Sequence, residues 1–185
     1  MKKLLSIIAT LFLFSNVNAQ VSNADSMVHK IFRTIKAQDE KSFLALFPNY
    51  NQMKVLMKSV LMQDQLDEDK ESADSSVNLF VESITEEVYR NEMQKEFLET
   101  YKKLSEQGNE IGLNFKNLQL TNYTIVKNPA PDSKVNTMNG ILFIKDGSKD
   151  YHIPFNQVIW DDKEKGWFGV SFKDLQAGSQ PIKEQ

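Results

Sequence analysis

Apolar residues recur every three or four positions through the first half of the chain, which is the spacing of an amphipathic helix. The first such stripe predicts a helix over residues 24–37, with Asn23 or Asp25 as its N-cap. Its members are Val28, Ile31, Phe32 and Ile35. Asp39 is suited to cap a short second helix, which Pro48 ends because proline lacks an amide donor.

Residues 53–61 continue the helical period, and the polar, acidic residues 64–76 predict a loop. The apolar stripe then returns and predicts the longest helix, which ends at Gly108, a residue suited to the left-handed cap conformation. The stripe consists of Val77, Phe80, Ile84, Val88, Phe97, Tyr101 and Leu104. Residues 89–96 carry few apolar side chains, so we expect a break or kink there.

The period changes to two beyond Gly112, which predicts strands over residues 118–126, 141–144, 151–160 and 167–172. Asp146 and Gly147 indicate a tight hairpin turn, because glycine accepts the positive φ that such a turn needs. Turns are also expected at residues 129–132 and 161–166. The four strands are therefore expected to follow one another as an antiparallel meander.

Alternation along the third strand assigns its side chains to two faces. Tyr151 and Phe155 fall on one face, and His152 and Trp160 share the other if the strand is regular. Pro154 cannot donate to a ladder and predicts a bulge or an edge at that point. One strongly apolar face per strand predicts an α+β domain, with N-terminal helices packed on one face of a C-terminal four-stranded antiparallel meander sheet. The helical part spans residues 23–108, the strands 116–173 and a flexible tail 174–185.

The first nineteen residues have the three parts of a signal peptide. Lys2 and Lys3 precede the apolar residues 4–14, and small residues end at Ala19, where a signal peptidase cleaves. The apolar run is shorter than the roughly 20 residues that cross a bilayer, so we expect no stable membrane anchor after cleavage. Cleavage near Ala19 and Gln20 takes 19 residues from 185 and leaves 166, enough for one domain, which we expect to be periplasmic or secreted.

Charge and cysteine content exclude several function classes. The chain has no cysteine, which excludes disulfides, a thiol nucleophile and a lipid-modified cysteine. Residues 64–110 hold 14 acidic and 5 basic side chains, and no basic stripe occurs elsewhere. Nucleic acid binding is therefore not expected, because its affinity depends on Lys and Arg at the phosphates. The acidic region is either a solvated helix surface or a face for a basic partner.

Three short segments resemble the cystatin-like and SnoaL-like group of α+β folds. They are Asp39-Glu40-Lys41-Ser42-Phe43, Tyr151-His152-Ile153-Pro154-Phe155 and Lys165-Gly166-Trp167-Phe168. The resemblance covers residues 23–43 and 118–172, and it implies helices followed by a curved four-stranded meander. Residues 157–159 do not supply the Gln-x-Val-x-Gly hairpin of inhibitory cystatins, so protease inhibition is not carried over. The leader and the absence of cysteine resemble soluble exported proteins of Gram-negative bacteria.

Few residues offer chemistry. His29 follows Asp25 by four positions, but a metal site normally needs three or four ligands, so no metal site is predicted. The candidate ligand-binding residues are Tyr151, His152, Trp160 and Trp167. An imidazole, an indole and a neighbouring carboxylate on one face could line a small ligand pocket. Alternatively, the two tryptophans pack across strands and line no pocket.

No catalytic motif is present. The chain lacks a Gly-x-Ser-x-Gly elbow, a His-Glu-x-x-His pair and a phosphate-binding glycine loop, and no cofactor is predicted. The leading hypothesis is a non-catalytic exported domain that binds an unknown protein or small ligand through the sheet or its hairpins. Two alternatives remain: an enzyme or carrier with a pocket between sheet and helices and His152 as acid or base, and an antitoxin-like protein that neutralises a basic effector.

Overall fold

Helices precede a C-terminal antiparallel sheet, which confirms the predicted α+β class. The computed structural model describes residues 24–64, 70–127, 135–161 and 165–178. The α-helices are α1 (Ala24–Ala37), α2 (Glu40–Leu44), α3 (Tyr50–Asp64), α4 (Lys70–Ser83), α5 (Glu86–Val88) and α6 (Gln94–Glu110). A π-helical turn, Tyr89–Met93, joins α5 to α6, and a 3-10 turn, Phe115–Asn117, leads into the sheet.

The first two helices form as their sequences predict. In α1 the residues at helical spacing, including Met27, Ile31 and Ile35, are completely buried. Asp39 caps α2, since its carboxylate accepts hydrogen bonds from the backbone amides of Lys41 and Ser42 and from the Ser42 hydroxyl. These hydrogen bonds, led by that of the hydroxyl, hold the pKa of Asp39 below its usual value.

The middle of the helical part differs from the prediction in two places. Helix α4 begins at Lys70, so the predicted loop over 64–76 is wrong for residues 70–76, and residues 65–69 lie outside the described residues. The long helix is interrupted at Ile84 and restarts behind Thr85, whose hydroxyl accepts from the Val88 amide at 3.2 Å. The π-helical turn lies within residues 89–96, where the sequence predicts a break or kink, but the chain stays helical through it, since Val88 and Gln94 both have right-handed helical dihedral angles. The helix also runs past its predicted end at Gly108 to Glu110, and Gly112 rather than Gly108 has a left-handed φ.

The sheet is an antiparallel meander in the order β1-β2-β3-β4, as predicted. Its strands are β1 (Gln119–Lys127), β2 (Thr137–Asp146), β3 (Lys149–Asp161), β4 (Gly166–Phe168), β5 (Ser171–Phe172) and β6 (Gln176–Ala177). The hairpin at Asp146 and Gly147 is confirmed, because Asp146 pairs with Lys149 and Gly147 has a φ of 61°. The turns predicted at 129–132 and 161–166 lie largely outside the described residues.

Strand β3 is bulged. Phe155 pairs with Gly140 and Val158 with Met138, so two residues of β3 stand opposite one residue of β2. Gln157 takes the left-handed conformation at the bulge, with a φ of 60°. The extra residue reverses the alternation beyond it, which places Val158 rather than Gln157 in the core.

The fourth strand is divided into three pieces that pair in turn with β3. Strand β4 pairs near Trp160, β5 pairs near Phe155, and β6 pairs Gln176 with His152. The sequence assigns residues 174–185 to a flexible tail, and this is wrong for residues 176 and 177, which form β6. Long-range contacts that local sequence does not reveal hold this segment, while residues 179–185 lie outside the described residues.

The main core lies between one face of the sheet and helices α1, α2 and α6. Aromatic rings fill its centre, where Phe43 of α2 stacks on Tyr101 of α6 with ring centroids 4.5 Å apart. From the sheet, Leu142 and Ile153 are completely buried in the same cluster. The helices thus pack on the sheet face where one of the sequence hypotheses places a ligand pocket.

Candidate interaction surface

Three of the four candidate ligand-binding residues belong to the core or pack against it. Tyr151 is buried. Trp160 and Trp167 are register partners on β3 and β4, and their rings meet edge to face with centroids 5.2 Å apart. Trp167 is buried and Trp160 is partly buried against the core. The tryptophans therefore pack across strands, as one of the two sequence interpretations has it.

His152 does not share a face with Trp160, so that prediction is wrong. The bulge at Gln157 breaks the regular alternation on which it rests, and it turns Trp160 toward the core. His152 is only 1% exposed. Its Nδ1 lies 3.2 Å from the carbonyl oxygen of Gly178 and its Nε2 lies 2.7 Å from Oε1 of Gln176. Both ring nitrogens therefore face oxygen atoms of residues 176–178.

His29 and Asp25 are both engaged with Tyr123 of β1. The Tyr123 hydroxyl donates to Oδ1 of Asp25 at 3.0 Å, and the His29 ring lies edge to face on the Tyr123 ring at 5.8 Å. The hydrogen bond to the carboxylate raises the pKa of Tyr123. Among the described residues, no three His, Asp or Glu side chains are grouped as a metal site requires.

A surface depression of about 440 Å³ lies where α1 and α6 end. Gln38, Asn109, Asn114 and Lys116 line it, together with Leu113 and Phe115. It is open to solvent and lies away from all four candidate residues. Its size suits a small ligand, but the amide of Gln38 is already bonded to the carbonyl of Ile35 at 2.8 Å.

Helices α3 and α4 form a helical hairpin with a small hydrophobic cluster of its own. The buried side chains of this cluster lie outside the main core and are Met53, Leu56, Val77, Val81, Ile84 and Tyr89. Two tyrosine hydroxyls fasten the base of the hairpin. Tyr50 donates to the carbonyl of Ile84 at 3.0 Å, and Tyr89 donates to the carbonyl of Pro48 at 2.6 Å. Burial raises the pKa of Tyr89.

One face of α4 is uncharged and exposed to solvent. Ser76, Leu79, Phe80 and Ser83 follow the i, i+3, i+4, i+7 spacing and form this face, which we call the α4 patch. Leu79 is 67% exposed and Phe80 is 49% exposed. The four side chains lie to one side of the buried Val77 and Val81 on the helix surface.

The sequence stripe places Phe80 in the buried face of a long helix, and this is wrong. The buried positions are Val77, Val81 and Ile84, and Phe80 lies on the exposed side. Val81 follows Val77 by four residues, so Val77, Val81 and Ile84 form an alternative apolar stripe that the sequence also contains. Leu79 received no role from sequence, because a single apolar residue outside a stripe carries no periodic information.

Acidic side chains adjoin the α4 patch. Glu82, Glu86 and Glu87 are exposed at or just beyond the end of α4. Arg90 pairs with Glu86 at 2.5 Å on the surface. A partly exposed pair of this kind contributes little to stability, and it leaves the surroundings of the patch acidic.

Comparison with models of protein families, with curated proteins and with solved structures finds no match. Within residues 24–64, 70–127, 135–161 and 165–178, every helix is too short or too polar to cross a bilayer.

Proposed function

We propose that this chain is a non-catalytic interaction domain, exported through its N-terminal leader, that binds a protein partner through the α4 patch. The exposure of Leu79 and Phe80 on adjacent positions of α4 carries the proposal. Leu79 and Phe80 occupy the i+3 and i+4 positions of the four-residue α4 patch, and apolar side chains at such positions are the anchors by which amphipathic helices enter apolar grooves. This binding surface lies on the helical hairpin, whereas the leading sequence hypothesis expected it on the sheet or its hairpins.

The partner presents an apolar groove whose rim is basic. Leu79 and Phe80 supply the apolar anchors, while Glu82 is exposed on the same helix and Glu87 is exposed just beyond its end. Basic groups on the partner would meet these carboxylates and speed association, an effect that salt screens. A second copy of this chain fits less well, because the same acidic side chains would then face one another.

The antitoxin-like alternative is compatible with the same surface, since it also requires a basic partner. The pocket alternative assigns His152 as acid or base. Both ring nitrogens of His152 contact oxygen atoms of the terminal segment, and this engagement favours the interaction hypothesis over the pocket.

The α4 patch is tested by a photo-activated cross-linking amino acid placed at position 79, with position 126 as the matched control. Val126 is 57% exposed on β1, far from α4 in sequence and on a different layer of the fold. A partner captured from position 79 and not from position 126 is then purified. Its affinity is measured by calorimetry for the native chain and for three variants.

Leu79→Ser and Phe80→Ser are expected to weaken binding at least about tenfold each, since apolar anchors of an interface commonly contribute that much. Val126→Ser is expected to leave affinity unchanged. Added salt should slow association. Equal affinity of all three variants would refute the α4 patch, and turnover in a panel of hydrolase and isomerase substrates would refute the non-catalytic assignment.

A further inference from the structure

The terminal segment 173–178 is fastened to the domain by side chains from α6. The amide of Gln107 makes two contacts with it: Nε2 donates to Oδ1 of Asp174 at 2.9 Å, and Oε1 accepts from the backbone amide of Leu175 at 2.9 Å. Lys103 adds an ion pair to the same carboxylate at 2.7 Å. These contacts fix the start of the segment.

The end of the segment is fastened by β3. The backbone amide of Gly178 donates to the carbonyl of Asp150 at 2.8 Å, and Tyr151 pairs with Ala177 in the ladder. The imidazole of His152 then contacts two oxygen atoms of the segment, the Gly178 carbonyl through Nδ1 and Oε1 of Gln176 through Nε2. His152 is thus buried beneath the residues that it holds.

The protonation state of the imidazole decides whether both contacts are hydrogen bonds. A neutral imidazole carries one N–H donor and one lone pair, whereas the imidazolium ion carries two N–H donors. The carbonyl of Gly178 only accepts, and Gln176 presents its oxygen. The arrangement is therefore satisfied by the imidazolium, and loss of a proton leaves a nitrogen lone pair facing an oxygen with little access to water.

We propose that His152 is a proton-dependent latch, which holds residues 176–178 on β3 when its imidazole is doubly protonated and loosens them when it is neutral. Deprotonation leaves two ways to relieve the lone-pair contact. The Gln176 amide turns over, or the strand β6 separates from β3. A turned amide restores only a hydrogen bond between neutral groups, which is weaker than one from a charged donor, so in both cases the segment is held less firmly than in acid.

The charged groups near His152 do not account for the expected pH dependence of the latch. On the face of His152, Asp150 of β3 pairs with Lys145 of β2 at 3.5 Å, and Phe143 of β2 lies beside the imidazole with ring centroids 6.2 Å apart. In register with Phe143, β1 contributes the neutral Asn122. From α6, Lys103 faces Asp174. Carboxylates and ammonium groups ordinarily keep their charge between about pH 5 and about pH 8, whereas imidazoles change theirs.

Hydrogen exchange of the backbone amides in residues 176–178 tests the latch on the full chain. After correction for intrinsic exchange, opening of β6 is expected to be at least about tenfold rarer near pH 5.5 than near pH 8, because a hydrogen bond from a charged donor is replaced by an unfavourable contact. His152→Gln keeps a polar side chain that does not titrate, and it is expected to abolish this difference. The matched control is His29→Gln, since His29 is exposed on α1 and should leave the difference intact.

Two further measurements keep the proposal testable if His152→Gln fails to fold. Nitrogen NMR of the native chain should show both ring nitrogens of His152 protonated at the acidic pH. Gln176→Glu replaces the amide by a carboxylate, which when ionised can only accept hydrogen bonds and cannot turn over to donate one, so it should enlarge the pH difference. Exchange that is independent of pH in the native chain, or firmer binding of β6 at alkaline pH, would overturn the latch.

Discussion

The ring of Phe155 lies against the backbone of Gly140, its register partner across β2 and β3. A Cβ atom at position 140 would lie 2.5 Å from Cζ of Phe155 and 2.5 Å from the carbonyl oxygen of Thr124. Both distances are shorter than carbon atoms tolerate, so the absence of a side chain at Gly140 allows the ring to reach the core beside the bulge of β3.

Gly140→Ala is therefore expected to destabilise the domain by about 1 to 3 kcal/mol, the usual cost of overpacking a well-filled site. Urea unfolding measures the change. Phe155→Leu combined with Gly140→Ala should show a smaller loss than the two single variants added together, because the shorter side chain removes one of the two clashes. A Gly140→Ala variant as stable as the native chain would contradict the close approach.

Tyr101 makes the domain sensitive to alkali. Its hydroxyl donates to the carbonyl of Thr34 at 3.3 Å in the core, and burial, with the nearby charges of Asp39 and Glu40, raises its pKa to about 12. A tyrosine with a raised pKa stabilises the fold below the ordinary value of 10.0, and this contribution is lost as the pH rises toward 12. The free energy of unfolding should therefore fall across that interval in the native chain.

Tyr101→Phe should flatten this alkaline loss while it weakens the domain at neutral pH, since the hydroxyl no longer bonds to Thr34. Urea unfolding as a function of pH, followed by circular dichroism, gives both quantities. An alkaline slope that persists in Tyr101→Phe would assign the sensitivity to another group.

The terminal segment should also respond to strong acid. The hydrogen bond from Lys103, followed by that from Gln107, lowers the pKa of Asp174 below 3.8. A carboxylate with a lowered pKa stabilises the folded state above the ordinary value, and this contribution disappears as the pH falls through the folded-state pKa. Hydrogen exchange of residues 174–178 should therefore accelerate in that acidic range.

Lys103→Met is expected to loosen the segment at neutral pH and to reduce its acid response. Lys102→Met is the matched control, because Lys102 pairs with Glu40 at 3.4 Å and not with the segment. Identical exchange rates in the two variants would show that the Lys103 contact does not hold the segment in place. This response belongs to Asp174 and Lys103 at the start of the segment, so it is distinct from the latch at His152.

The leader gives a prediction about processing. Expressed in a Gram-negative host, the chain should be recovered from the periplasm or the medium with Gln20 as its first residue, and intact mass measures this directly. Ala19→Arg should block cleavage, since the peptidase requires a small residue at that position. Asn18→Gln is the control, because the intervening position is not restricted in this way. A full-length product in the cytosol would refute export.

Local signals in the sequence predicted local structure. Asp39 predicted the cap of α2, and Asp146 with Gly147 predicted the hairpin, because each depends on residues within one turn of the chain. Pro154 predicted a bulge or an edge at its own position, but Pro154 pairs with Ile141 and the extra residue comes later, at Gln157. The position of a bulge is defined only by the partner strand. The extra residue changed the face of Trp160 and separated it from His152.

The exposed face of α4 was harder to predict from the sequence, because it depends on tertiary packing. Phe80 fits an apolar stripe by spacing, yet the hairpin selects Val81 instead, and only the packing of α3 against α4 makes that choice. Strand β6 likewise depends on Gln107 and His152, which are distant from it in sequence. Neither feature has a short-range signal.

The interruptions of the fourth strand limit the pairing of other chains with this edge of the sheet. Its pieces are three, two and two residues long, and Gly169 has a φ of 78° between the first two. Strand addition by a foreign chain needs a row of evenly spaced amide and carbonyl groups, and fibril growth needs the same row over a longer stretch. An interrupted edge of this kind disfavours both on this side of the sheet.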